Sequence, residues 1–410
     1  MSKERHVIVG GGLAGAKAAE ALRAEGHEGE IVLIGAEDEL PYERPPLSKD
    51  YLRGESSRDD ARVHPEGFYE EQEIELRIAT SVTAIDPGAR EVELDGGERL
   101  GWDRLLLATG SEPRRLPLPG ADLDGVHHLR DLGDSDAISA RLEPGARLVV
   151  VGAGWIGSEV AASARQKGAE VEVVERAPRP LEHVLGAEAS DFYAAVHREH
   201  GVVLRTGAAL ERFEGTGRVE GVLLGDGTRI DCDAVVVGVG IVPRTGLAEE
   251  AGLEVENGVV TDERLATSAE GVFACGDVAN AHHPFYGRRL RVEHWANALH
   301  QPEVAARAML GKEASYDRVP YFFSDQYDVG MEYAGYATEW DRIAFRGDPG
   351  GGEFIAFWLR DGRVVAGMNV NVWDVTDPIQ ELIRSRKRVD ADRLVDPGVP
   401  LERLLERSDG

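Results

Sequence analysis

Residues 6–15 read His-Val-Ile-Val-Gly-Gly-Gly-Leu-Ala-Gly, and this pattern is the strongest fold signal in the chain. Its β-branched residues predict a strand, its glycines a tight turn, and the alanine-rich segment after them a helix. Gly10 permits the turn, Gly12 lets a pyrophosphate approach the backbone, and Gly15 lets the helix pack closely against the strand. The free N–H groups at the start of that helix would face the phosphates. The pattern predicts a dinucleotide-binding unit.

The residues that follow favour this interpretation over a glycine-rich turn in some other α/β domain. Gly26 is placed to end the helix, and residues 30–34 predict a second strand. Glu37 stands about twenty residues beyond the glycines, where a ribose hydroxyl needs an acceptor. The stretch therefore has the context that a dinucleotide fingerprint requires.

The same pattern recurs in the middle of the chain. Residues 148–157 read Leu-Val-Val-Val-Gly-Ala-Gly-Trp-Ile-Gly, and a strand-like run over 171–174 leads into Glu175. The two copies align glycine for glycine, but the first has two extra residues before its second strand. Gly35, not Glu37, is then opposite Glu175, so Glu175 is the better-supported ribose acceptor. Two such sites on one chain are far more specific than one.

Composition excludes several classes of protein. The chain has 410 residues, long enough for two or three domains, and its 46 basic and 74 acidic residues give a net charge of -28. This charge disfavours binding to nucleic acid or to anionic membranes. Cys232 and Cys275 form neither a disulfide framework nor a metal-binding cluster, and both are predicted to be buried structural thiols. We therefore expect no metal site. No run approaches the ~20 apolar residues that a bilayer needs, so we also expect a cytoplasmic protein.

The order of the remaining patterns predicts an α/β fold of two Rossmann-like domains with a third, C-terminal α+β domain. Proline-rich residues 113–120 and a buried strand ending near residue 240 mark boundaries, so the second domain (113–240) is inserted in the first (1–112 and 241–315). Aromatic-rich strands and a charged helical tail fill residues 316–410. The remaining predicted elements are strands over 82–86, 91–94, 104–108, 321–327, 354–359 and 364–372, and a helix over 294–310.

Several motifs carry a family resemblance over nearly the whole chain. The strongest is Pro-Tyr-Glu-Arg-Pro-Pro-Leu-Ser-Lys at residues 41–49. The others are Ala108-Thr109-Gly110, Gly276-Asp277, Glu293-His294-Trp295-Ala296-Asn297-Ala298 and Ser324-Asp325-Gln326-Tyr327. With them the chain resembles the FAD- and NAD(P)-dependent oxidoreductases of glutathione-reductase type. Within that family it is similar to the ferredoxin reductases, of putidaredoxin-reductase and rhodocoxin-reductase type, that serve cytochrome P450 and ring-hydroxylating oxygenase systems.

The resemblance implies a function and a set of ligands. The first site would hold FAD and the inserted site NADH, the third domain would cover the flavin, and the partner would be an iron–sulfur ferredoxin of [2Fe-2S] type. Arg244 departs from the asparagine usual after Pro243 in this family.

The segment at 45–49 excludes one mechanism. Disulfide reductases of this type carry two cysteines four residues apart after the first dinucleotide helix, and related NADH oxidases and peroxidases carry one there. This chain has Pro-Pro-Leu-Ser-Lys. With no thiol to take the hydride pair, electrons must leave a reduced flavin directly for an outside acceptor, and a flavin can release them singly.

Five residues are candidates for chemistry. Arg44 could neutralise the pyrophosphate and Lys49 could lie near the flavin N5; the alternative is two solvated loop charges. Asp277 would cap a helix after the strand at 272–274 and accept from a ribityl hydroxyl, or be an N-cap only. Glu159 could orient the nicotinamide carboxamide or be a solvated helix carboxylate. Trp295 could flank the isoalloxazine. The predicted catalytic set is Lys49, Glu159 and Trp295.

The predicted cofactor-binding set adds the motif residues. For FAD these are Gly10, Gly12, Leu13, Ala14, Gly15, Glu37, Arg44, Lys49, Val82, Ala108, Thr109, Gly110, Arg130, Gly276, Asp277, Glu293, His294 and Trp295. For NADH they are Gly152, Gly154, Trp155, Ile156, Gly157, Glu175, Gly238 and Gly240. Glu175 favours NADH because its carboxylate would repel a 2′-phosphate, although Arg176 and Arg179 could pair with one.

Two other functions remain open at this point. One is an NADH oxidase or diaphorase that acts on oxygen or quinones, and the other is a redox-signalling flavoprotein of apoptosis-inducing-factor type. The oligomeric state is open as well. An acidic ferredoxin would need a local basic surface, and the densest basic runs are residues 288–291 and 384–388.

Overall fold

The computed structural model describes residues 4–405. Its strands are β1 (Arg5–Val9), β2 (Glu30–Ile34), β3 (Ile74–Arg77), β4 (Val82–Asp86), β5 (Glu91–Leu94), β6 (Arg99–Gly101), β7 (Arg104–Leu107), β8 (Ser111–Pro113), β9 (Val126–His127), β10 (Arg147–Val151), β11 (Glu170–Glu175), β12 (Val203–Thr206), β13 (Leu210–Glu214), β14 (Gly221–Leu224), β15 (Arg229–Asp231), β16 (Ala234–Val237), β17 (Ile241–Pro243), β18 (Val259–Thr261), β19 (Val272–Ala274), β20 (Ala279–His283), β21 (Arg288–Leu290), β22 (Tyr321–Gln326), β23 (Val329–Gly335), β24 (Arg342–Asp348), β25 (Glu353–Arg360) and β26 (Arg363–Val370). Its α-helices are α1 (Leu13–Ala24), α2 (Asp50–Arg53), α3 (Phe68–Glu71), α4 (Leu132–Ser139), α5 (Trp155–Gln166), α6 (Glu182–Glu199), α7 (Gly246–Glu250), α8 (Trp295–Met309), α9 (Thr376–Ser385) and α10 (Ala391–Val395).

The chain divides into two compact units. The first unit comprises residues 4–44, 58–112 and 241–320, and the second comprises 45–57, 113–240 and 321–405. Each unit contains one of the two glycine patterns. No helix among residues 4–405 is long and apolar enough to cross a membrane.

The first unit is built on a parallel sheet with strand order β19-β7-β1-β2-β3. Its central strands are buried on both faces, which is why their sequences are continuous apolar runs. Ile8, Leu33 and Leu106 lie in one core with residues of α1 and α8. The loops that carry the predicted site residues follow the carboxyl ends of β1, β7 and β19, where ligands bind in folds of this kind.

The second unit repeats this arrangement and adds a three-stranded antiparallel sheet, β13-β14-β15, and a five-stranded one. Its parallel sheet has the order β12-β11-β10-β16-β9, and α5 connects β10 to β11. The five-stranded antiparallel sheet has the order β22-β23-β26-β25-β24. Helix α6 contributes Leu185 and Tyr193 to the core of that sheet, and the Trp358 indole N–H donates to the Leu185 carbonyl at 3.1 Å. The inserted dinucleotide domain and the C-terminal sheet therefore share one hydrophobic core.

Most predicted elements form close to their expected positions. β2 and β4 have the predicted bounds, and α8 begins and ends one residue inside the predicted helix. The division into three domains stays a prediction. The contacts group residues 45–57 and 321–405 with the inserted domain, whereas the sequence placed 45–57 in the first domain.

The predicted helix after residues 272–274 does not form. Gly276–Val278 is a single 3-10 turn, and the chain then enters β20, which pairs in parallel with β18. Asp277 therefore caps no helix, and its predicted capping role was wrong. The pairing of β20 takes up the backbone groups that a helix would have used.

Candidate functional site

The first glycine loop connects β1 to α1 in the geometry that the sequence predicted. Gly10 has a φ of +126°, and a Cβ there would lie 2.1 Å from the Ala108 carbonyl oxygen. A Cβ at Gly15 would lie 1.9 Å from the Gly10 carbonyl oxygen, so α1 packs against the turn only because residue 15 is glycine. Among the described residues, nothing lies within 4 Å of a Cβ built at Gly12, and no side chain caps α1. This open space at uncapped N–H groups fits the diphosphate of a dinucleotide.

The second loop repeats these contacts. A Cβ at Gly152, whose φ is +99°, would lie 2.4 Å from the Gly238 carbonyl oxygen. A Cβ at Gly157 would lie 2.0 Å from the Gly152 carbonyl oxygen, while Gly154 again faces open space in the described structure. Ile156, in the first turn of α5, is 46% exposed, which is unusual for a side chain of its size. The second loop thus also fits a dinucleotide, with an apolar side chain beside it.

Glu37 is held by side chains of the 41–49 motif. Its Oε1 accepts a hydrogen bond from Arg44 Nη2 at 2.7 Å, and its Oε2 accepts one from the Tyr42 hydroxyl. Burial alone would raise the pKa of Glu37, but the Arg44 guanidinium and the Tyr42 hydroxyl outweigh it and hold that pKa below its usual value. Glu37 is therefore an ionised acceptor, as binding of a ribose hydroxyl requires. The structure places the Arg44 guanidinium on this carboxylate.

Glu175 is held by the backbone instead. Its Oε2 accepts from the Ala153 N–H at 2.7 Å, and its Oε1 accepts from the Ala177 N–H at 2.8 Å. Because Ala153 lies between two glycines of the second loop, the carboxylate is anchored directly beside that loop. Arg179, which could have paired with a 2′-phosphate, instead forms an ion pair with Asp191 at 2.6 Å.

Glu159 lies in the interior of the second unit, only 3% exposed, so the alternative of a solvated helix carboxylate is wrong. Its Oε2 accepts from Ser48 Oγ at 2.5 Å and from Lys49 Nζ at 3.0 Å. Its Oε1 accepts from Ser324 Oγ at 2.7 Å. Lys49 is also not a solvated loop charge, because its ammonium group lies 5.4 Å from the centroid of the Phe323 ring. The site therefore contains a buried, compensated carboxylate and ammonium pair.

The other first-unit candidates surround the ends of β7 and β19. Asp277 Oδ2 accepts from Ser111 Oγ at 2.7 Å, and Trp295 Nε1 donates to Glu43 Oε2 at 3.0 Å. The Thr109 hydroxyl donates to the Arg244 carbonyl at 2.9 Å. Arg244, the departure from the family pattern, thus contacts this loop through its backbone.

The remaining candidates are distributed between the two units. Val82 begins β4, and burial lowers the pKa of His294, which precedes α8, to about 4. Arg130 lies in the second unit, where its backbone N–H donates to Asp134 Oδ2 at 2.8 Å. The Trp155 ring contacts the rings of Tyr193 and Phe322, so part of it belongs to the core. In the first unit, Leu13 and Ala14 are buried in the first turn of α1, and Ala108 and Gly110 follow β7. In the same unit, Gly276 begins the 3-10 turn, and Glu293 forms an ion pair with Arg291. In the second unit, Gly238 and Gly240 follow β16.

Neither cysteine is reactive in this fold. Both thiols are free and buried, and burial raises the pKa of Cys232 and of Cys275 to about 12. The predicted burial of both thiols is confirmed, and their purely structural role stays a prediction. The 45–49 segment contains no cysteine, so it offers no dithiol relay.

One cluster among the described residues gathers three possible metal ligands. Glu4, His6 and His27 have ligand atoms within 4.8 Å of one another. However, the two imidazole rings stack 3.9 Å apart and nearly parallel, at 13°. Their in-plane lone pairs therefore run side by side and do not converge on one ion.

The sequence did not single out three donors that complete these sites. Tyr42 binds Glu37, and Ser48 and Ser324 bind Glu159. All three lie in motifs that the sequence analysis quoted. Their position in those motifs could have identified them, whereas their residue types alone indicate no particular chemistry.

The fold and the two glycine loops define an oxidoreductase of the two-dinucleotide class. Residues 4–301 match the family model described as pyridine nucleotide-disulphide oxidoreductase, and residues 321–405 match the one described as reductase C-terminal. The chain belongs to the pyridine nucleotide-disulphide oxidoreductase family, which confirms the family and the fold class expected from its motifs.

Similar proteins agree with this assignment. The chain is 39% identical to putidaredoxin reductase of Pseudomonas putida, covering 97% of this chain and 96% of that protein. It is also 39% identical to the ferredoxin--NAD(+) reductase component of the anthranilate 1,2-dioxygenase system of Burkholderia cepacia, covering 99% and 100%. Its fold matches the crystal structure of the covalent putidaredoxin reductase–putidaredoxin complex with a TM-score of 0.95, 38% identity and 99% coverage of both chains.

Proposed function

We propose that this protein is a FAD-dependent NADH:ferredoxin oxidoreductase that passes electrons singly to a [2Fe-2S] ferredoxin of a cytochrome P450 or ring-hydroxylating oxygenase system. The observation that carries this proposal is the 45–49 segment. Where disulfide reductases carry redox cysteines, Ser48 and Lys49 bind Glu159 instead. Electrons delivered by NADH therefore have no protein thiol to receive them and pass to an outside acceptor.

The first glycine loop would hold FAD. Gly10, Gly12 and Gly15 shape the diphosphate site, and Glu37, kept ionised by Arg44, would accept a ribose hydroxyl. When bound, a flavin supplies the conversion between a two-electron hydride donor and a one-electron acceptor. Asp277, Trp295 and the other first-unit candidates remain proposed contacts to it.

The second glycine loop would hold NADH. Glu175 stands beside the loop with both carboxylate oxygens oriented by backbone N–H groups, and each oxygen retains capacity to accept from a ribose hydroxyl. Glu159 would orient the nicotinamide by accepting an N–H of its carboxamide. Lys49 forms an ion pair with Glu159 at 3.0 Å in the interior of the second unit and compensates its charge there.

The relatives support the choice of partner. One is named as a putidaredoxin reductase and another as the ferredoxin--NAD(+) reductase component of a dioxygenase system. The solved complex pairs a similar chain with its ferredoxin, putidaredoxin. We likewise propose a cytoplasmic location, which cell fractionation would test.

Steady-state kinetics with different acceptors test the proposal. With NADH and purified [2Fe-2S] ferredoxins encoded beside this gene, we expect ferredoxin reduction to be much faster than reduction of oxygen. A faster rate with oxygen or quinones would indicate an NADH oxidase or diaphorase. Slow turnover with every acceptor, together with NADH-dependent dimerisation, would indicate a signalling flavoprotein.

A double cysteine variant provides the internal control. Cys232→Ser with Cys275→Ser should reduce ferredoxin at close to the wild-type rate, although buried hydroxyls without partners would lower stability. Loss of turnover in a variant that still folds and retains FAD would support a disulfide mechanism and refute the proposal.

The docking surface of the ferredoxin can be located by charge reversal. In the 288–291 run, Arg289 lies 3.9 Å from Glu254 and 3.8 Å from Glu256, so part of its charge is already compensated. We propose the 288–291 and 384–388 runs as candidate docking surfaces and expect Lys387→Glu to slow ferredoxin reduction more than Arg289→Glu, because the nearby glutamates already weaken the attraction of Arg289 for an acidic partner. The difference should shrink with added salt, while ferricyanide reduction is the matched control. Ferredoxin reduction at the wild-type rate in both variants and at every salt concentration would point to apolar docking.

A further inference from the structure

A chain of hydrogen-bonded polar side chains leads away from Glu159 in the second unit. Ser324 Oγ, which donates to Glu159, lies 3.2 Å from Gln326 Nε2. Gln326 Oε1 lies 3.0 Å from His197 Nε2, and His197 Nδ1 lies 3.3 Å from the Tyr327 hydroxyl. Ser324, Gln326 and His197 are each 1% exposed. At such burial each lost hydrogen bond is costly, so the bonds act as one connected network.

The hydrogens in this network have a defined direction. Ser324 has one hydroxyl hydrogen, and because its oxygen accepts from Gln326 Nε2, that hydrogen goes to Glu159. Gln326 can present its N–H₂ to Ser324 only while its Oε1 accepts from His197 Nε2. If His197 instead carried its hydrogen on Nδ1, its Nε2 would be an acceptor, and the Gln326 amide would have to rotate so that its N–H₂ faces His197. The Gln326 oxygen would then accept the Ser324 hydroxyl hydrogen, and Ser324 would no longer donate to Glu159.

The affected oxygen is the one with room for a ligand. A carboxylate offers about four acceptor positions, two on each oxygen. On Oε2 of Glu159 both are used, by Ser48 and Lys49, and on Oε1 one is used by Ser324. With only the donors among residues 4–405 considered, a single position therefore remains, on the same oxygen that Ser324 orients.

We propose that Gln326 and His197 are positioning residues that hold Ser324 as a donor to Glu159 and thereby aim the free acceptor position of Glu159 at the carboxamide of the nicotinamide. This inference rests on the proposed function, since it assumes that the second loop binds NAD(H). Burial lowers the pKa of His197 to about 4, so the ring is neutral near pH 7 and has the single N–H that the network needs.

Gln326→Glu tests the direction of the hydrogen bonds in this network, because glutamate has almost the same shape as glutamine. The new carboxylate would accept the Ser324 hydrogen and withdraw it from Glu159. In the FAD-loaded protein, calorimetric titration with NAD⁺ should show roughly tenfold weaker binding, the loss expected for one hydrogen bond to a charged group. ADP-ribose lacks the nicotinamide, so its affinity should stay within about twofold of wild type.

Asn369→Asp is the matched control. Asn369 is an equally buried amide in the same antiparallel sheet, where its Nδ2 donates to Glu332 Oε2 at 2.9 Å. This substitution also buries a new carboxylate but should alter the affinity for neither ligand. If it weakens NAD⁺ binding as much as Gln326→Glu does, the effect is a general one of buried charge and the proposal fails.

Neutral variants keep the proposal testable if Gln326→Glu does not fold. His197→Leu removes the donor to Gln326, whereas His197→Gln places an amide N–H near the position of Nε2 and should restore NAD⁺ affinity. Ser324→Ala should weaken NAD⁺ binding by itself, and adding His197→Leu to it should cause little further loss because both act through one bond.

Two further outcomes would overturn the inference. One is equal weakening of NAD⁺ and ADP-ribose in His197→Leu, and the other is additive losses in the Ser324→Ala and His197→Leu pair. A wild-type protein that bound neither ligand would refute the proposed function itself, which separates the two failures.

Discussion

The two glycine loops share a backbone but differ in the side chains placed on it. In each, the first glycine N–H donates at 2.8 Å to a carbonyl near the carboxyl end of the neighbouring strand, Gly10 to Ile34 and Gly152 to Val174. The next residue is Gly35 in the first copy and Glu175 in the second. Glu37 lies two residues further on and is held by side chains, whereas Glu175 is held by backbone N–H groups. One backbone motif therefore presents its acid in two different ways.

The helices after the loops differ even more. The residue two positions beyond the third glycine is Lys17 in α1 and Glu159 in α5. Lys17 forms a partly exposed ion pair with Glu20 at 2.8 Å on its own helix. Glu159 is buried and takes its donors from distant parts of the chain. The loop geometry selects a dinucleotide, and this helix position distinguishes the inserted site from the first.

The largest effect should come from filling the closest helix-to-loop contacts. In Gly15→Ala the new Cβ would meet a backbone oxygen at 1.9 Å, and in Gly157→Ala at 2.0 Å. Backbone must move, at a cost above the roughly 1–3 kcal/mol of ordinary overpacking. We expect Gly15→Ala to be purified without FAD, while Gly157→Ala retains FAD and loses NADH binding. Flavin absorbance measures the FAD content of each purified variant, and titration with NADH measures its NADH binding.

Gly96→Ala is the control for these variants, because a Cβ there meets no described atom within 4 Å. It should bind both ligands normally. Loss of FAD from Gly157→Ala with retention in Gly15→Ala would reverse the assignment of the two loops.

The next effect should come from Glu159→Gln. It leaves Lys49, whose side chain is 12% exposed, without its buried counter-ion. Removing one partner of a buried pair typically costs about 3–5 kcal/mol, so chemical denaturation should show a large loss of stability. Hydride transfer from NADH, followed by anaerobic stopped-flow absorbance, should slow by on the order of a hundredfold.

Lys17→Gln, at the matched position of α1, is the control and should change stability by less than about 1 kcal/mol. If Lys17→Gln lost as much stability as Glu159→Gln, the proposed difference between α1 and α5 would be contradicted.

A smaller effect should follow from changing the two acids. Glu175→Gln removes the charge that would repel a 2′-phosphate, and we expect the preference for NADH over NADPH to fall by about tenfold, or ~1.4 kcal/mol. Glu37→Gln should weaken FAD retention and leave the coenzyme preference unchanged. The ratio of kcat/KM values for the two coenzymes is the measurement. A preference altered by Glu37→Gln and not by Glu175→Gln would contradict the assignment.

The smallest effect at neutral pH concerns His6, which corresponds to Leu148 in the second copy. Burial, with the nearby His27 and Arg104 charges acting in the same direction, lowers the pKa of His6 to about 3. The folded state therefore stays neutral while the unfolded chain binds a proton below about pH 6.5. Stability from this residue is present above pH 6.5 and falls by up to about 1.4 kcal/mol per pH unit toward pH 3.

His6→Leu, which copies Leu148, should remove that contribution. Denaturation midpoints measured between pH 4 and 7 should vary less with pH than in wild type. His183→Leu, which changes an exposed histidine, is the matched control. An unchanged pH dependence in His6→Leu would show that His6 is not the group responsible.

Much of the fold was predictable because its signals are local. A tight turn with a positive φ at Gly10 or Gly152 depends on the residue itself and its immediate neighbours. The same holds for β2, whose apolar run gave its bounds directly. The helix expected after residue 274 failed for the opposite reason, since a 3-10 turn forms there only because β20 pairs with a distant strand, β18.

The two dinucleotide units, the lack of a redox thiol at residues 45–49 and the choice of Glu159 and Glu175 as candidate acids could all be read from the amino-acid sequence. The environment of Glu159 could be read only from the folded chain. Its donors Lys49, Ser48 and Ser324 stand 110, 111 and 165 residues away along the chain. Spacing and propensity act over a few residues, whereas the protonation and direction of a buried carboxylate depend on whichever groups the packing brings within hydrogen-bond distance.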